Sequence, residues 1–321
     1  MLASRRVIAI EEHMLPKDIA AAAGIDPAML LGKADMLHEV GERRLAEMDR
    51  AGIDIQVLSA VNHWAQELEP SASIAASREL NDRLGQAVSA HPKRFRAFAA
   101  LPMTDPEAAA DELARAVEDL GFVGAMINSL TNGVFLDDPI FAPVLAAAER
   151  LDVPIYLHPA VPPPQVRHAY FERLSPVLGA ILATAGWGWH AECGLHVLRL
   201  AVSGTLDRYP ALKLIVGHMG ENLPFSLARA DERLTPVSGH LATSVAETVL
   251  RQVHITTCGY TTQPPLMCAL DVFGADRIMF SVDYPFSDSN EATAFLRDAP
   301  LDNTDRKKIA HLNAQQLLKL P

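Results

Sequence analysis

The chain has 321 residues, of which 49% are hydrophobic and 21% are charged, and its formal net charge is -11. This length allows one large α/β domain or two ordinary ones, and the acidic balance excludes a nucleic-acid-binding surface. No stretch approaches the roughly 18 uninterrupted apolar residues of a membrane span, and three widely spaced cysteines predict a reduced, cytoplasmic protein without a disulfide framework.

Eight short β-like runs alternate with helical patterns from one end of the chain to the other. The strand candidates are residues 7–10, 53–61, 96–102, 124–128, 154–158, 212–218, 253–258 and 277–283. Amphipathic stretches such as residues 108–121 and 138–152 lie between them, and they end as helices commonly do, at Gly121 and in a turn before Pro154. Eight strands with intervening helices predict a (β/α)8 barrel.

The segments between these elements predict a single domain over residues 1–321, because no Pro- or Ser-rich linker divides the chain. Residues 14–37 are predicted to be an insertion after the first strand, and residues 160–165, AVPPPQ, a rigid loop after the fifth. The main alternative is an open doubly wound sheet. That alternative would have a glycine-rich phosphate loop after its first strand, and the sequence has none there.

Ionisable side chains stand at the ends of several apolar strands. Glu11 and His13 lie two residues apart after the first strand, so we expect them to share a face. The fifth, sixth and eighth strands end in His158, His218 and Asp283. Because chemistry in a barrel takes place at the carboxyl ends of the strands, and because an unpaired buried charge is unfavourable, these groups are expected to act together.

A divalent metal ion would stabilise this cluster. Imidazole and carboxylate ligands together suit zinc or manganese, and ligands on four separate strands exclude a zinc finger. The sequence therefore predicts a catalytic metal site that begins with Glu11 and His13. Each residue also has a structural alternative: a lone histidine satisfied in the core, Glu12 paired with a basic group behind the barrel, or Asp283 capping a helix.

Four motifs together resemble the amidohydrolase superfamily. They are E-x-H on the first strand, YLHP on the fifth, GHMGENLPF on the sixth and SVDYPF on the eighth. More narrowly, they resemble its metal-dependent decarboxylase branch, which includes γ-resorcylate, 5-carboxyvanillate and aminocarboxymuconate semialdehyde decarboxylases. The hydrolytic members usually have H-x-H on the first strand, so Glu11 at the first of these positions favours the decarboxylase branch.

The resemblance implies a distorted (β/α)8 barrel that binds one divalent ion, Zn²⁺ or Mn²⁺. By position, the metal ligands would be Glu11, His13, His158 and Asp283. His218 and Glu221 would form a pair that faces the substrate, and Arg229 would hold the substrate carboxylate. We assign the catalytic role to Asp283 as proton donor, with His218 and Glu221 polarising a ring hydroxyl or moving the proton.

Two departures from the resorcylate-type pattern concern the substrate. No arginine follows the histidine and proline of the fifth strand, and VNHWAQ places His63 and Trp64 where a different pocket wall is expected. His63, Trp64 and Trp189 are the candidate substrate-binding residues, although the tryptophans of GWGWH also suit core or subunit packing. HAECGLH, residues 190–196, is predicted to be a packed helix rather than a chelating one.

The predicted function is the non-oxidative decarboxylation of a small aromatic, hydroxybenzoate-like, or unsaturated carboxylic acid. The alternative is metal-dependent hydrolysis of a lactone or amide, in which His218 or Asp283 would activate water. A binding protein that had lost activity would normally lack one of the strand-end residues, and all are present. We expect a homo-oligomer, a dimer or tetramer, from the family and from the apolar helices.

Overall fold

The protein is described by a computed structural model, which covers residues 6–25 and 30–321. The strands are β1 (Ile8–Met14), β2 (Ile55–Ala60), β3 (Phe95–Ala97), β4 (Ala99–Ala100), β5 (Ala125–Asn128), β6 (Ile155–His158), β7 (Leu214–Val216), β8 (Val253–Thr256) and β9 (Ile278–Met279). The helices before β6 are α1 (Lys17–Ala22), α2 (Ala34–His38), α3 (Glu42–Ala51), α4 (Pro70–Ala90), α5 (Pro106–Glu118) and α6 (Ala142–Leu151). Those after it are α7 (Pro164–Tyr170), α8 (Pro176–Ala183), α9 (Gly188–Val202), α10 (Thr205–Arg208), α11 (Leu223–Leu234), α12 (Val245–Gln252), α13 (Gln263–Phe273), α14 (Ser289–Asp298), α15 (Asn303–Lys307) and α16 (Asn313–Leu317).

The strands are parallel and lie beside one another in chain order. β1 to β3 form one hydrogen-bonded sheet and β4 to β9 another. β3 and β4 together occupy the third strand position, which is interrupted at Phe98. The last and first strands are also joined. Asp283 N–H donates to Glu11 O (3.1 Å) and His13 N–H donates to Tyr284 O (2.7 Å), so the segment after β9 lies beside β1. This arrangement confirms the predicted α/β barrel class.

Each predicted strand overlaps an observed one; β1 runs beyond its predicted residues 7–10 to Met14, whereas the other observed strands are shorter than predicted. The largest difference is in residues 277–283, where only Ile278–Met279 are paired as β9. The predicted helix at residues 108–121 is α5, and Asp105 caps its first turn by accepting from Ala108 N–H (3.1 Å). The predicted insertion at residues 14–37 contains α1 and most of α2, and its residues 26–29 lie outside the described ranges.

Side chains from the amino-terminal halves of the strands fill the barrel interior. Ile8 and Ile10 of β1 belong to a buried cluster that also contains residues of the C-terminal segment. We call these residues the C-terminal plug: Ala314, Leu317, Leu318 and Leu320. Within the described residues, the plug packs against the amino-end side chains of the strands, so we call the carboxyl ends the open end of the barrel. The predicted polar cluster stands at that open end.

The segment after β6 exposes large apolar side chains. We call residues 164–187, which include α7 and α8, the apolar arm. More than half of the surface of each of these side chains is exposed: Tyr170, Val177, Leu178, Ile181 and Trp187. A contiguous apolar patch on a protein surface commonly marks a contact with another molecule. Among the described residues, no helix combines the length and apolar composition that crossing a membrane requires.

Candidate active site

β1 delivers two predicted ligands into the open end of the barrel. Between Ala9 and Glu12, β1 has one residue more than the facing part of β2, which makes a bulge of the kind often found beside active sites. Glu11 and His13 are 0% and 3% exposed, and Glu11 Oε1 lies 3.9 Å from His13 Nε2. The bulged strand therefore places both side chains in one buried space.

The other two predicted ligands reach the same space from distant parts of the chain. His158 Nε2, at the end of β6, lies 3.2 Å from Glu11 Oε1. Asp283 Oδ1, beyond β9, lies 3.3 Å from His13 Nε2. Asp283 has a left-handed backbone with φ 75°, which is uncommon for a residue with a side chain and recurs at functional sites. The structure thus brings the four predicted ligands together.

Neighbouring groups orient each ligand. The Tyr156 hydroxyl donates to Glu11 Oε2, which leaves Oε1 directed at the cluster. Ser59 Oγ lies 2.9 Å from His13 Nδ1, on the side of the ring away from the cluster. His158 Nδ1 donates to Pro159 O (2.7 Å), and because a carbonyl can only accept, the lone pair of this imidazole is on Nε2.

The arrangement of these side chains fits a divalent ion. Glu11 Oε1 is buried and accepts no hydrogen bond within the described part of the chain. It lies close to Nε2 of His158, which in a neutral ring carries the lone pair, so both atoms can bind one cation. Ligand atoms that share one ion at about 2.1 Å lie about 3 Å apart, close to the 3.2 Å observed here. The donor set suits zinc or manganese.

The predicted pair of His218 and Glu221 lies in an unusual left-handed segment. Every residue from His218 to Asn222 has a positive φ, between 47° and 84°. This turn brings His218 Nδ1 within 2.6 Å of Glu221 Oε1, and it leaves His218 Nε2 3.9 Å from Asp283 Oδ2. Gly217 precedes the turn, where a Cβ would lie 2.8 Å from Glu11 Oε2, so glycine is required there.

The carboxylates of the cluster differ in charge state. Burial acts to raise the pKa of Glu11, but the charge on His218 and the nearby His158 outweigh it and hold this pKa at about 2. Burial is likewise outweighed at Asp283, where the neighbouring His13 and His218 lower the pKa. Burial dominates at Glu12, behind the strand, and raises its pKa to about 8. The two carboxylates that face the cluster therefore supply negative charge for a cation.

The predicted substrate-binding residues are less closely assembled. His63 is exposed at the mouth, where the surrounding protein and the nearby His158 lower its pKa. Trp64 is partly buried and donates from Nε1 to Val61 O (3.0 Å). Trp189, on α9, has a buried Nε1 that finds no acceptor among the described residues.

The structure places Arg229 on the surface of α11. Its side chain is 64% exposed and donates to Glu232 Oε2 at 2.8 Å. Within residues 6–25 and 30–321, no hydrogen bond or ion pair joins Arg229 to the metal ligands. Its role towards a substrate carboxylate stays a prediction.

Several residues around the cluster were not singled out from the sequence. Tyr156 stands two residues before His158, so the two-residue period of a strand was a signal that it shares the same face. Cys258 ends the run 253–258, and its Sγ lies 3.8 Å from His218 Nε2. Ser59 of β2 had no local signal, because its role depends on pairing with β1.

A buried histidine on α9 holds the loop after β5. Leu136 N–H donates to His196 Nε2 (2.8 Å), and on the same helix Glu192 Oε1 accepts from Ser129 Oγ (2.6 Å). Burial, together with the charge of Arg199, lowers the pKa of His196 to about 3. The segment HAECGLH is therefore packed in a helix, as predicted, and helps to shape the rim of the site.

We expect His196 to make the free energy of unfolding fall as the pH decreases from 6.5 towards 3. Between these values the unfolded chain binds a proton that the folded protein does not, so stability declines by up to about 1.4 kcal/mol per pH unit. Urea unfolding at pH 7 and pH 5 measures the effect. His196→Gln, which still offers an acceptor to Leu136, should lose about 2 kcal/mol less over this interval, and equal losses would contradict the assignment.

An α/β barrel with a buried cluster of carboxylates and imidazoles at its strand ends defines a class of metal-dependent enzymes. The chain belongs to the amidohydrolase family, whose sequence profile matches residues 27–320. This membership confirms the superfamily indicated by the strand-end motifs.

Individual relatives show which branch of the amidohydrolase family this chain resembles. Decarboxylase orsB of Emericella nidulans is 39% identical, over 98% of this chain and 97% of the relative. The γ-resorcylate decarboxylase of Polaromonas sp. strain JS666 is 36% identical, over 98% of both chains. A crystal structure of dihydroxybenzoic acid decarboxylase from Polaromonas sp. JS666, with bound manganese and the inhibitor 2-nitroresorcinol, superposes with a TM-score of 0.90, at 36% identity over 98% and 97% of the two chains.

These similarities confirm the predicted resemblance to the decarboxylase branch. The prediction of a carboxy-lyase related to the amidohydrolases is confirmed at this level, because these relatives are decarboxylases. The prediction of a divalent metal, zinc or manganese, is also confirmed, because the solved relative holds manganese and this chain has side chains that could hold an ion.

Proposed function

We propose that this protein catalyses the metal-dependent, non-oxidative decarboxylation of a small hydroxybenzoate-like acid. The main support is the convergence of Glu11, His13 and His158, whose ligand atoms lie within 4.8 Å of one another, with Asp283 beside them. Relatives that act on aromatic acids, over nearly the whole chain, support the substrate class. An unsaturated, non-aromatic acid is the broader alternative within the same reaction.

Glu11, His13, His158 and Asp283 would hold the ion. When bound, a divalent ion supplies a Lewis acid that stabilises negative charge on the substrate carboxylate and on a neighbouring phenolic oxygen. The protein's own contribution is to orient the ring. Tyr156 and Ser59 keep Glu11 and His13 in place, so the substrate meets a rigid set of side chains.

Asp283 is the proposed proton donor. A proton passes to the ring carbon that bears the carboxylate, the carbon–carbon bond then breaks, its electron pair restores the aromatic ring, and carbon dioxide leaves. Because the pKa of Asp283 is lowered in the free protein, its proton must arrive within the substrate complex. His218 Nε2, 3.9 Å from Asp283 Oδ2, is placed to pass it on, and Glu221 fixes the opposite side of that ring.

We assign His63, Trp64 and Trp189 to the walls of the substrate pocket. We assign Arg229 to binding the substrate carboxylate. Support for His63 comes from its place at the mouth, near His158. Trp189 adjoins His190 on α9, which lies against Glu221. Arg229 is exposed, so it would reach a substrate only from outside the cluster described above.

We also propose a homo-oligomer, a dimer or tetramer, in the cytoplasm. The apolar arm supports association, because water contact with so many large apolar side chains is unfavourable. Light scattering of the purified protein measures the assembly. A particle with the mass of one chain would contradict it.

The reaction is tested by carbon dioxide release from purified protein incubated with 2,6-dihydroxybenzoate and related hydroxybenzoates. We expect release with the native protein, loss of more than about 90% of it after chelation, and recovery on adding Mn²⁺ or Zn²⁺. Elemental analysis before and after chelation is the control. Release of acid from a lactone or amide, without carbon dioxide, would instead support the hydrolase.

A further inference from the structure

His190 has a hydrogen-bond acceptor on each of its ring nitrogens. The residue is 7% exposed and lies in the first turn of α9. Its Nδ1 is 2.6 Å from Glu221 Oε2, and its Nε2 is 3.0 Å from Ala185 O. The sequence motif GWGWH ends at this residue, and the proposed reaction gives His190 no role.

The glycines of GWGWH bring the two acceptors into reach. A Cβ at Gly188 would clash with Ala183 O, and a Cβ at Gly186 would lie 2.7 Å from Ile181 O, so only glycine allows this tight junction between α8 and α9. Further along α9, a Cβ at Gly194 would clash with Glu221 O. The motif therefore packs His190 between the end of the apolar arm and the left-handed turn that holds Glu221.

The two contacts require two ring protons. A backbone carbonyl only accepts, so His190 Nε2 carries a proton for Ala185 O. A second proton must lie between Nδ1 and Glu221 Oε2, since two lone pairs would repel at 2.6 Å. Burial acts to raise the pKa of Glu221, but the charge on His218 and the hydrogen bonds of both histidines outweigh it and lower this pKa. The carboxyl group is thus ionised, and the shared proton belongs to His190.

Glu221 therefore has a histidine on each oxygen. Oε2 accepts from His190, and Oε1 accepts from His218 Nδ1 at 2.6 Å. Because Nδ1 is turned to Glu221, Nε2 of His218 faces the cluster, 3.9 Å from Asp283 Oδ2. Without His190, one oxygen of a buried carboxylate would have no donor, and Glu221 would turn or bind a proton instead. The other titratable neighbours are Tyr260, whose ring centroid is 6.0 Å from that of His190, and Cys193 on the same helix.

We propose that His190 is a positioning residue that holds Glu221 through a doubly protonated ring and thereby fixes the orientation of His218. The inference rests on the proposed function in one respect: the role of His218 towards the substrate is taken from that proposal. The arrangement of protons does not depend on that role. His190 itself is buried behind Glu221, so it acts through Glu221 and His218.

The test combines kinetics with ¹⁵N NMR of histidine-labelled protein, and variants identify the signals of His190 and His218. We expect two protonated nitrogens on His190 and a proton on Nδ1 of His218. His190→Leu should change the His218 signals and lower kcat by about tenfold or more, with KM changed less than about threefold. His190→Gln keeps one donor for Glu221 and should recover part of kcat. His240→Gln, at an exposed histidine, should change neither readout.

Different results overturn different statements. A singly protonated His190, or a His190→Leu variant with native kcat and native His218 signals, would overturn the positioning role. If His190→Leu fails to fold, His190→Gln and the NMR of the native protein decide. If the native protein releases no carbon dioxide from any acid, the proposed function fails, while the NMR signals still decide how His190 holds Glu221.

Discussion

Replacing Asp283 with asparagine is expected to lower kcat for carbon dioxide release by about a thousandfold, which is within the range of general acid catalysis. The amide has nearly the shape of the carboxyl group and keeps an oxygen towards the cluster, but it cannot deliver a proton to the ring carbon. It also removes a negative charge that lies 3.3 Å from His13.

Metal content separates the two contributions of Asp283. Turnover and elemental analysis are measured on the same preparation, at saturating Mn²⁺, so that weaker metal binding alone does not decide the result. Asp298→Asn is a matched control, because Asp298 is exposed and pairs only with the neighbouring Arg297 in the described structure. If Asp283→Asn retained full metal and full turnover, the assignment as proton donor would be rejected.

Replacing Arg44 with methionine should decrease the free energy of unfolding by about 3 kcal/mol. Arg44 is 0% exposed, although a free guanidinium prefers water. It donates from Nε to Gln56 Oε1 (2.7 Å) and from Nη1 to His13 O (2.9 Å), and it lies 4.3 Å from the ring centroid of Tyr284. Methionine fills much of the space, but it leaves these buried acceptors without a donor.

Arg44 also faces Glu12, the carboxylate expected to pair with a basic group behind the barrel. The pairing is indirect: Gln56 Nε2 donates to Glu12 Oε2 (3.1 Å) while Gln56 Oε1 accepts from Arg44, so Gln56 bridges the two side chains. Urea unfolding of Arg44→Met, Glu12→Gln and the double variant measures their coupling. We expect each replacement to lower the free energy of unfolding less when the other replacement is already present than when it is made alone. Strictly additive changes, or a loss under 1 kcal/mol for Arg44→Met, would contradict the network.

The sequence predicted that the candidate ligands would meet, because the position of each depends on local order. Glu11 and His13 share a face by the two-residue period of a strand, and YLHP placed His158 at a strand end. The barrel brings every such end to one mouth, so spacing along the chain was sufficient to assemble them. The split third strand at Phe98 and the short β9 were not predicted, because hydrophobic runs do not show where pairing stops.

The supporting residues depend on contacts between remote segments. Ser59 meets His13 across two strands, and Arg44 reaches the same segment from α3. HAECGLH was correctly predicted to pack as a helix, but its internal spacing contains no information about residue 221. His190 therefore became a candidate only when Glu221 was found beside it. Local periodicity predicts which groups face the mouth, whereas tertiary packing decides which of them are held there.

The C-terminal plug has a consequence for how the chain folds. Ile8 and Ile10 share one buried cluster with Leu317, Leu318 and Leu320, which lie more than 300 residues further along the chain. Because contacts between such distant residues require closing a very long loop, we expect this part of the interior to complete its packing late in folding. Until then the chain exposes apolar strands, which makes it a natural client for chaperones.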